Sequence, residues 1–437
     1  MKHLIVLGLS LFCLGAVCAD ETSIVDIAVR QRWPWSPKVD VMYRYDGETP
    51  TSVCFTATWR GQDTPVNIVS CDSTGTFLVK PGAHRFAWDP VAAGHGADAL
   101  VDFRVEASVA AADPRTYLVA DLENGGYELL PDVPAGGWTD AHKTSKMVFR
   151  RIPAGTYQLG FPEADFYAFE PENGWSRPVA RSMTPRTVTL SSDYYCAIFL
   201  TTASQLTYLR DDSTKLTAKT PQRSHVNYAA FRGATLADGV TAVDWPNTGH
   251  AVAADSFVGL LRAKLGGKLL ADLPTQEQWE IAMRAETATL WPSGGSPTDT
   301  AEELTNALHA ISWCRWIDGD QPYSHDVGLK ACNAWGLYDF NVVDQGEVTL
   351  SYANDKAEIT HPDKKTLDVS YPVGGLDPIG PTSSLHNARI FMGGCTYGSG
   401  LTFRIVSTPA RTGLDVSTGE TLYCGVRFVI NLKPLVE

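Results

Sequence analysis

Between residues 24 and 112 the chain is built on a two-residue period, and that pattern constrains the fold most. Val39, Val41, Tyr43 and Tyr45 alternate with Lys38, Asp40, Met42 and Arg44, as on a strand with one buried face. Val53–Trp59, Val66–Ser70, Arg85–Trp88 and Leu100–Val109 are further short strands. Turn signals separate them at Asp46-Gly47, Gly61-Gln62-Asp63, Pro81-Gly82 and Gly94-His95-Gly96. Several short strands at this spacing predict a small sandwich of immunoglobulin-like type over 24–112. Cys54 and Cys71 fall in neighbouring strands, where either a disulfide or two buried thiols would fit. His84 and His95 fall near turns and read as surface residues.

The pattern changes after residue 112. Residues 113–145 read as a connector in which Tyr117–Leu122 has strand character and Pro131, Pro134, Gly136 and Gly137 break regular structure. Residues 146–432 mix short strands, a few helices and long loops. Two helices can be placed. One runs from about Ser256 to Leu265, with Phe257, Leu260, Leu261 and Leu265 on one side and Gly266-Gly267 as a left-handed stop. The other follows Leu273-Pro274: Thr275 is an N-cap, Gln278 completes a capping box, Glu277 suits the helix dipole, and Trp279, Ala282 and Met283 share a face.

Composition excludes several classes. With 44% hydrophobic and 19% charged residues in a chain of 437, two or three domains can each bury a core, and disorder is excluded. The formal net charge of −13 argues against a nucleic-acid groove or a polybasic membrane patch. At the N-terminus, Lys2, the apolar run Leu4–Leu14 and the small residues before Asp20 read as a signal peptide over 1–19, cleaved after Ala19. The expected destination is secretion, the periplasm or the cell envelope, and no later run is long and apolar enough for a transmembrane helix. Nine cysteines are present, and Cys13 and Cys18 leave with the leader. The remainder, Cys54, Cys71, Cys196, Cys314, Cys332, Cys395 and Cys424, is odd in number, so at least one is a thiol or pairs between chains. Their spacing does not suggest zinc.

The rear region carries a series of motifs in a fixed order: Met147–Gly160 ending in PAGTYQLG, Tyr194–Leu209, Val243–Asn247 (VDWPN), Leu273–Glu280 (LPTQEQWE), Asn333–Phe340 (NAWGLYDF), Arg389–Gly394 (RIFMGG) and Gly425–Phe428 (GVRF). In this order they resemble the sulfatase-modifying factor family, whose best-known members are formylglycine-generating enzymes. The resemblance covers nearly all of 146–432 and implies an irregular α+β domain related to C-type lectins, with its strands near Val148 and Val429 paired. The front β domain is more loosely similar to one that accompanies this family in some bacterial secreted proteins.

The resemblance also implies a chemistry. Family enzymes oxidise a client cysteine to formylglycine with copper(I) held by two thiolates just after the RGG strand, a soft donor pair suited to a soft ion. By ungapped matching those positions here are Gly398 and Phe403, neither of which can bind a metal. Cys395 is displaced from them and Cys424 lies near the closing strand. Family calcium sites map onto Asp339 and, with one inserted residue, Glu347 and Asp344; a second maps onto Asn306 and Asp320. Oxygen donors at such spacing suit calcium. Trp313 and Trp316 around Cys314 read as core rather than pocket. The leading expectation is therefore an exported, non-catalytic binding member without copper, contacting a protein or glycan through the loop containing Tyr397, Ser399 and Arg404 and the loop after Asp339. The alternatives are a copper-dependent formylglycine-generating oxidase using Cys395, and a cell-envelope structural or adhesion module.

Overall fold

The computed structural model describes residues 23–66, 76–91, 93–109, 115–160, 185–221, 228–233, 252–289, 291–295, 299–313, 325–340, 347–352, 358–360, 366–368, 374–378, 389–393, 409–410 and 425–432. Among the described residues, the front region holds seven strands: β1 (Ile24–Gln31), β2 (Val39–Tyr45), β3 (Thr51–Trp59), β4 (Gln62–Thr64), β5 (Thr76–Val79), β6 (Gly82–Trp88) and β7 (Phe103–Val109). One antiparallel sheet runs β1-β2-β6; in the other, β3 pairs with β4, β5 and β7. Their inner faces share one core. Tyr43 meets Phe55 at 4.8 Å between ring centroids, Phe55 meets Phe86 at 5.0 Å, and Trp59 meets Trp88 at 5.8 Å, all edge to face.

The apolar half of the alternation read from Val39 to Tyr45 holds, with all four residues buried, but Asp40 between them is buried too, held by Arg32 and Arg85. His84 is a correction. It pairs in register with Tyr43, stacks on that ring at 5.1 Å and is buried, because β6 starts before Arg85 and the period turns residue 84 inward. His95 is half-buried, bonded to Thr64 and packed on Trp59. Cys71 lies outside the described residues, and with it the pairing of Cys54.

The rear region is organised on a six-stranded antiparallel sheet. Its strands are β8 (Tyr117–Asp121), β9 (Tyr127–Leu130), β10 (Lys146–Ile152), β13 (Tyr194–Ala197), β14 (Leu270–Asp272) and β21 (Val429–Asn431), in the order β14-β21-β13-β10-β8-β9. Smaller pieces complete it: β11 (Gly155–Leu159) and β12 (Arg186–Leu190) form a hairpin, and β15 (Glu347–Tyr352), β16 (Glu358–Thr360), β17 (Thr366–Asp368), β18 (Gly375–Leu376), β19 (Arg389–Met392) and β20 (Pro409–Ala410) are short. The helices are α1 (Ala203–Leu209), α2 (Tyr228–Arg232), α3 (Phe257–Lys264), α4 (Gln276–Arg284) and α5 (Ala301–Ile311).

The central sheet is covered on both faces, and the strand period sorts its side chains. Tyr117, Val119, Val148, Tyr194, Cys196 and Val429 join the core under α4, while Leu118, Ala120, Met147, Phe149, Tyr195, Ala197 and Ile430 join the core under α3. Two-sided burial explains why Tyr117–Leu122 shows no alternation. It also places β8 and β9, assigned from sequence to the connector, inside the rear sheet. The expected pairing of the strands near Val148 and Val429 is not present: β13 lies between β10 and β21, bonded to both. All four residues of β13 are buried, as a central position requires.

Both anticipated helices form with their caps. Ser256 Oγ accepts from Gly259 N at the start of α3, and Gly266 and Gly267 stop it with φ of 77° and 72°. Thr275 Oγ1 accepts from Gln278 N at 3.1 Å, and Gln278 Oε1 accepts from Thr275 N at 3.0 Å. The front and rear regions are joined by main chain: Ala154 N donates to Leu78 O at 2.7 Å, and Lys80 N donates to Ala154 O at 3.0 Å. Ala154 belongs to the front core, Lys80 pairs with Glu286, and buried Arg151 pairs with buried Asp193 beside this joint. Among the described residues, no helix is long and apolar enough to cross a membrane.

Candidate functional site

The motif residues converge on the core under α4, and most are ties. Asn333 Nδ2 donates to the carbonyls of Ala282 and Met283 at 2.7 and 3.0 Å. Its Oδ1 accepts from the N–H groups of Trp335 and Leu337 at 3.0 and 3.1 Å. One amide thus staples the NAWGLYD turn to the end of α4, and Gly336 supplies the left-handed φ of 73° that the turn needs. Glu280 accepts from Arg284, Arg186 and Gly160 N at 2.8, 2.6 and 2.8 Å. Burial raises its pKa, but the two guanidiniums and the N–H outweigh burial and hold it below the usual carboxylate range.

At the centre stands Arg427, from the GVRF segment. Its Nε donates to Glu347 Oε2 at 2.9 Å and its NH2 to Oε1 at 3.3 Å. It also donates to the carbonyls of Ala197 and Tyr338, both at 2.8 Å, and its guanidinium lies 4.1 Å from the centre of the Phe340 ring. Burial opposes its charge, but Glu347 and the neighbouring acids keep its pKa above the ordinary value. Asp339 sits beside this pair, fully enclosed, with φ of 63°. Both its oxygens accept from Gly328 N, at 2.9 and 3.0 Å. Burial pushes its carboxyl up to about 6. Cys196 faces the same cluster, and burial pushes its thiol up to about 12, so it is a protonated core residue at neutral pH.

The structure therefore brings Asp339 and Glu347 together, and both Glu347 oxygens accept from the fully buried Arg427 guanidinium. Asp344 and the rest of its loop lie outside the described residues. Asn306 is exposed on α5, and its suggested partner Asp320 is outside the described residues. So are Cys395, Tyr397, Gly398, Ser399, Phe403, Arg404 and Cys424. Trp313 packs on the core, stacked 3.7 Å from His325, with the Lys330 ammonium 3.9 Å above it; Trp316 is outside. Among the described residues, no group of three or more His, Cys, Asp or Glu could hold a metal ion.

The anchors of the two expected loops are described, and they are adjacent. Glu347 opens β15 just after residues 341–346, and it pairs in register with Met392, which closes β19 just before 394–408. Gly425 forms a parallel bridge to the same Glu347. Both loops therefore start or end at residues paired at Glu347. Sequence reasoning missed Arg427 as the keystone. The signal was there: one arginine among Val426, Phe428, Val429 and Ile430 in an apolar closing segment demands a buried acid.

The chain thus joins a front β-sandwich to an irregular α+β domain whose motifs are tied together by buried side chains. The profile of the Sulfatase-modifying factor enzyme 1-like domain matches residues 139–431, and the chain belongs to that family. No curated protein and no solved structure matches it.

Proposed function

We propose that this is an exported, non-catalytic member of the family, binding a protein or glycan through the loop with Tyr397, Ser399 and Arg404 and the loop after Asp339. One observation carries the reading: Gly398 and Phe403 stand where the resemblance implies copper-binding thiolates. A hydrogen and a benzyl group offer no electron pair to a metal. The adjacency of the loop anchors at Glu347 and Met392 supports a shared binding face. Calcium enters this reading through Asp339, with main-chain oxygens as its partners. The test is pull-down of a ligand by the purified chain. Tyr397→Ala with Arg404→Ala is expected to abolish capture, and unchanged capture would remove the loop from the account.

A second reading has its own support. Cys395 follows Met392 and Cys424 precedes Gly425, and both anchors flank Glu347. A relocated thiolate pair would make the protein a formylglycine-generating oxidase. Stoichiometric copper(I) binding lost in Cys395→Ser would favour it.

A further inference from the structure

The turn between β1 and β2 holds two tryptophans in the open. Trp35 is 90% exposed and Trp33 43%, whereas Trp59 and Trp88 of the same domain are buried. Isolated exposed apolar residues are ordinary. Here two of the largest lie within three residues, and the turn that carries them is braced. Arg32 N donates to Lys38 O at 2.9 Å, and the N–H groups of Trp35 and Ser36 donate to Arg32 O, both at 3.2 Å. Lys38 N donates to Ser36 Oγ at 3.2 Å. At the base, Gln31 Nε2 donates to the carbonyls of Asp98 and Pro37 at 2.8 and 3.2 Å, and its Oε1 accepts from Leu100 N at 2.6 Å. The indoles are thus displayed on a scaffold whose ordering cost is met by folding, which favours recognition of a partner.

The charge around the turn runs against that of the molecule. The chain carries −13 overall. Here Arg30, Arg32, Lys38 and Arg85 lie around Asp40, with Asp98 at the base of the turn and Asp89 next to Trp88 across from Val39 as further acids. Asp40 is shared by Arg32 at 2.7 Å and Arg85 at 2.9 Å, so one carboxylate answers two guanidiniums. Arg30, the register partner of Asp40, is exposed, and Arg85 is 44% exposed.

We propose that this turn binds an anionic polysaccharide. The C–H face of a pyranose ring lies on the negative face of the indoles, and acid groups on the sugar meet Arg30, Lys38 and Arg85. A lipid surface fits less well, because a short turn with two aromatic side chains buries too little apolar area to anchor a protein. This site is on the front domain and does not depend on the rear loops.

The experiment is affinity electrophoresis of the full-length mature chain through gels containing polygalacturonate, dextran sulfate or neutral dextran, with co-sedimentation on phosphatidylglycerol vesicles alongside. At least one anionic polymer should retard the chain, neutral dextran should not, and added salt should weaken the effect. The two anionic gels tell carboxylate from sulfate recognition. Trp35→Ala should weaken retardation about tenfold, and Arg30→Gln with Lys38→Gln severalfold. Tyr397→Ala with Arg404→Ala should leave it intact. Circular dichroism confirms that each variant is folded. No retardation by either anionic polymer, equal retardation by neutral dextran, retardation unchanged in Trp35→Ala, or binding only to vesicles would each overturn the proposal.

Discussion

The front and rear regions bury charge in opposite ways. The front core is aromatic and aliphatic; Arg44 with Asp26 lies at the surface, and its one buried carboxylate among the described ion pairs, Asp40, is answered by the partly exposed Arg32 and Arg85. The rear domain places whole ion pairs inside: Arg427 with Glu347, Arg232 with Asp272, and Glu280 between Arg186 and Arg284. The difference follows from regularity. Seven strands satisfy their own backbone groups, so the sandwich needs only apolar contact between faces. In the rear domain, described carbonyls where regular structure ends, such as those of Ala197 and Tyr338, take donors from outside their own segment. Arginine supplies several in a fixed fork, which is why Arg427 serves two carbonyls as well as Glu347. The charge that comes with those donors then requires a buried acid.

That contrast can be broken first at Arg427. Arg427→Met leaves Glu347 buried and uncompensated and should cost about 3–5 kcal/mol in denaturant unfolding. Adding Glu347→Met should restore a large part of the loss. A cost under about 1 kcal/mol would show that the pair is not structural. In the front core, Phe55→Ala should cost about 3 kcal/mol, from lost contacts and a cavity. No charge substitution should repair it. Thr275→Ala, which removes the α4 cap, should cost about 1 kcal/mol.

His84 sharpens the comparison by pH. Burial, the largest influence, lowers its pKa from 6.5 and outweighs the hydrogen bond to the Lys80 carbonyl, which favours the charged ring; the Lys80 ammonium adds a smaller lowering. The folded state therefore resists a proton that the unfolded chain accepts. The stability involved is intact above about 6.5 and is lost as the pH falls below it. His84→Gln should flatten the acid limb of a stability curve followed by front-domain tryptophan fluorescence, and an unchanged limb would place the titration elsewhere. The smallest effect is expected at Arg44→Ala, at most about 0.5 kcal/mol, since both partners are largely exposed.

Much of the architecture was legible where local chemistry decides it. The apolar half of the two-residue period from Val39 to Tyr45 and the capping box at Thr275 and Gln278 are short-range signals, and both were read correctly. The family was legible from the order of its motifs. What could not be read was the partner of each buried polar group. Asn333 looks like a turn residue and acts as a staple to α4, 50 residues away. Glu347 looks like a cation ligand and answers Arg427, 80 residues away. Strand β8 was read as a strand but left in the connector, because burial on both faces erases the alternation that would assign it to a sheet, and β9 was not read.

The central claim is that this family fold persists here without oxidase chemistry. Its most direct test is to load the purified full-length chain with copper(I) under oxygen and supply a peptide containing a Cys-x-Pro-x-Arg sequence. Aldehyde is then measured by mass spectrometry. The account predicts no aldehyde above the metal-only control. Turnover of the peptide that disappears in Cys395→Ser would contradict it.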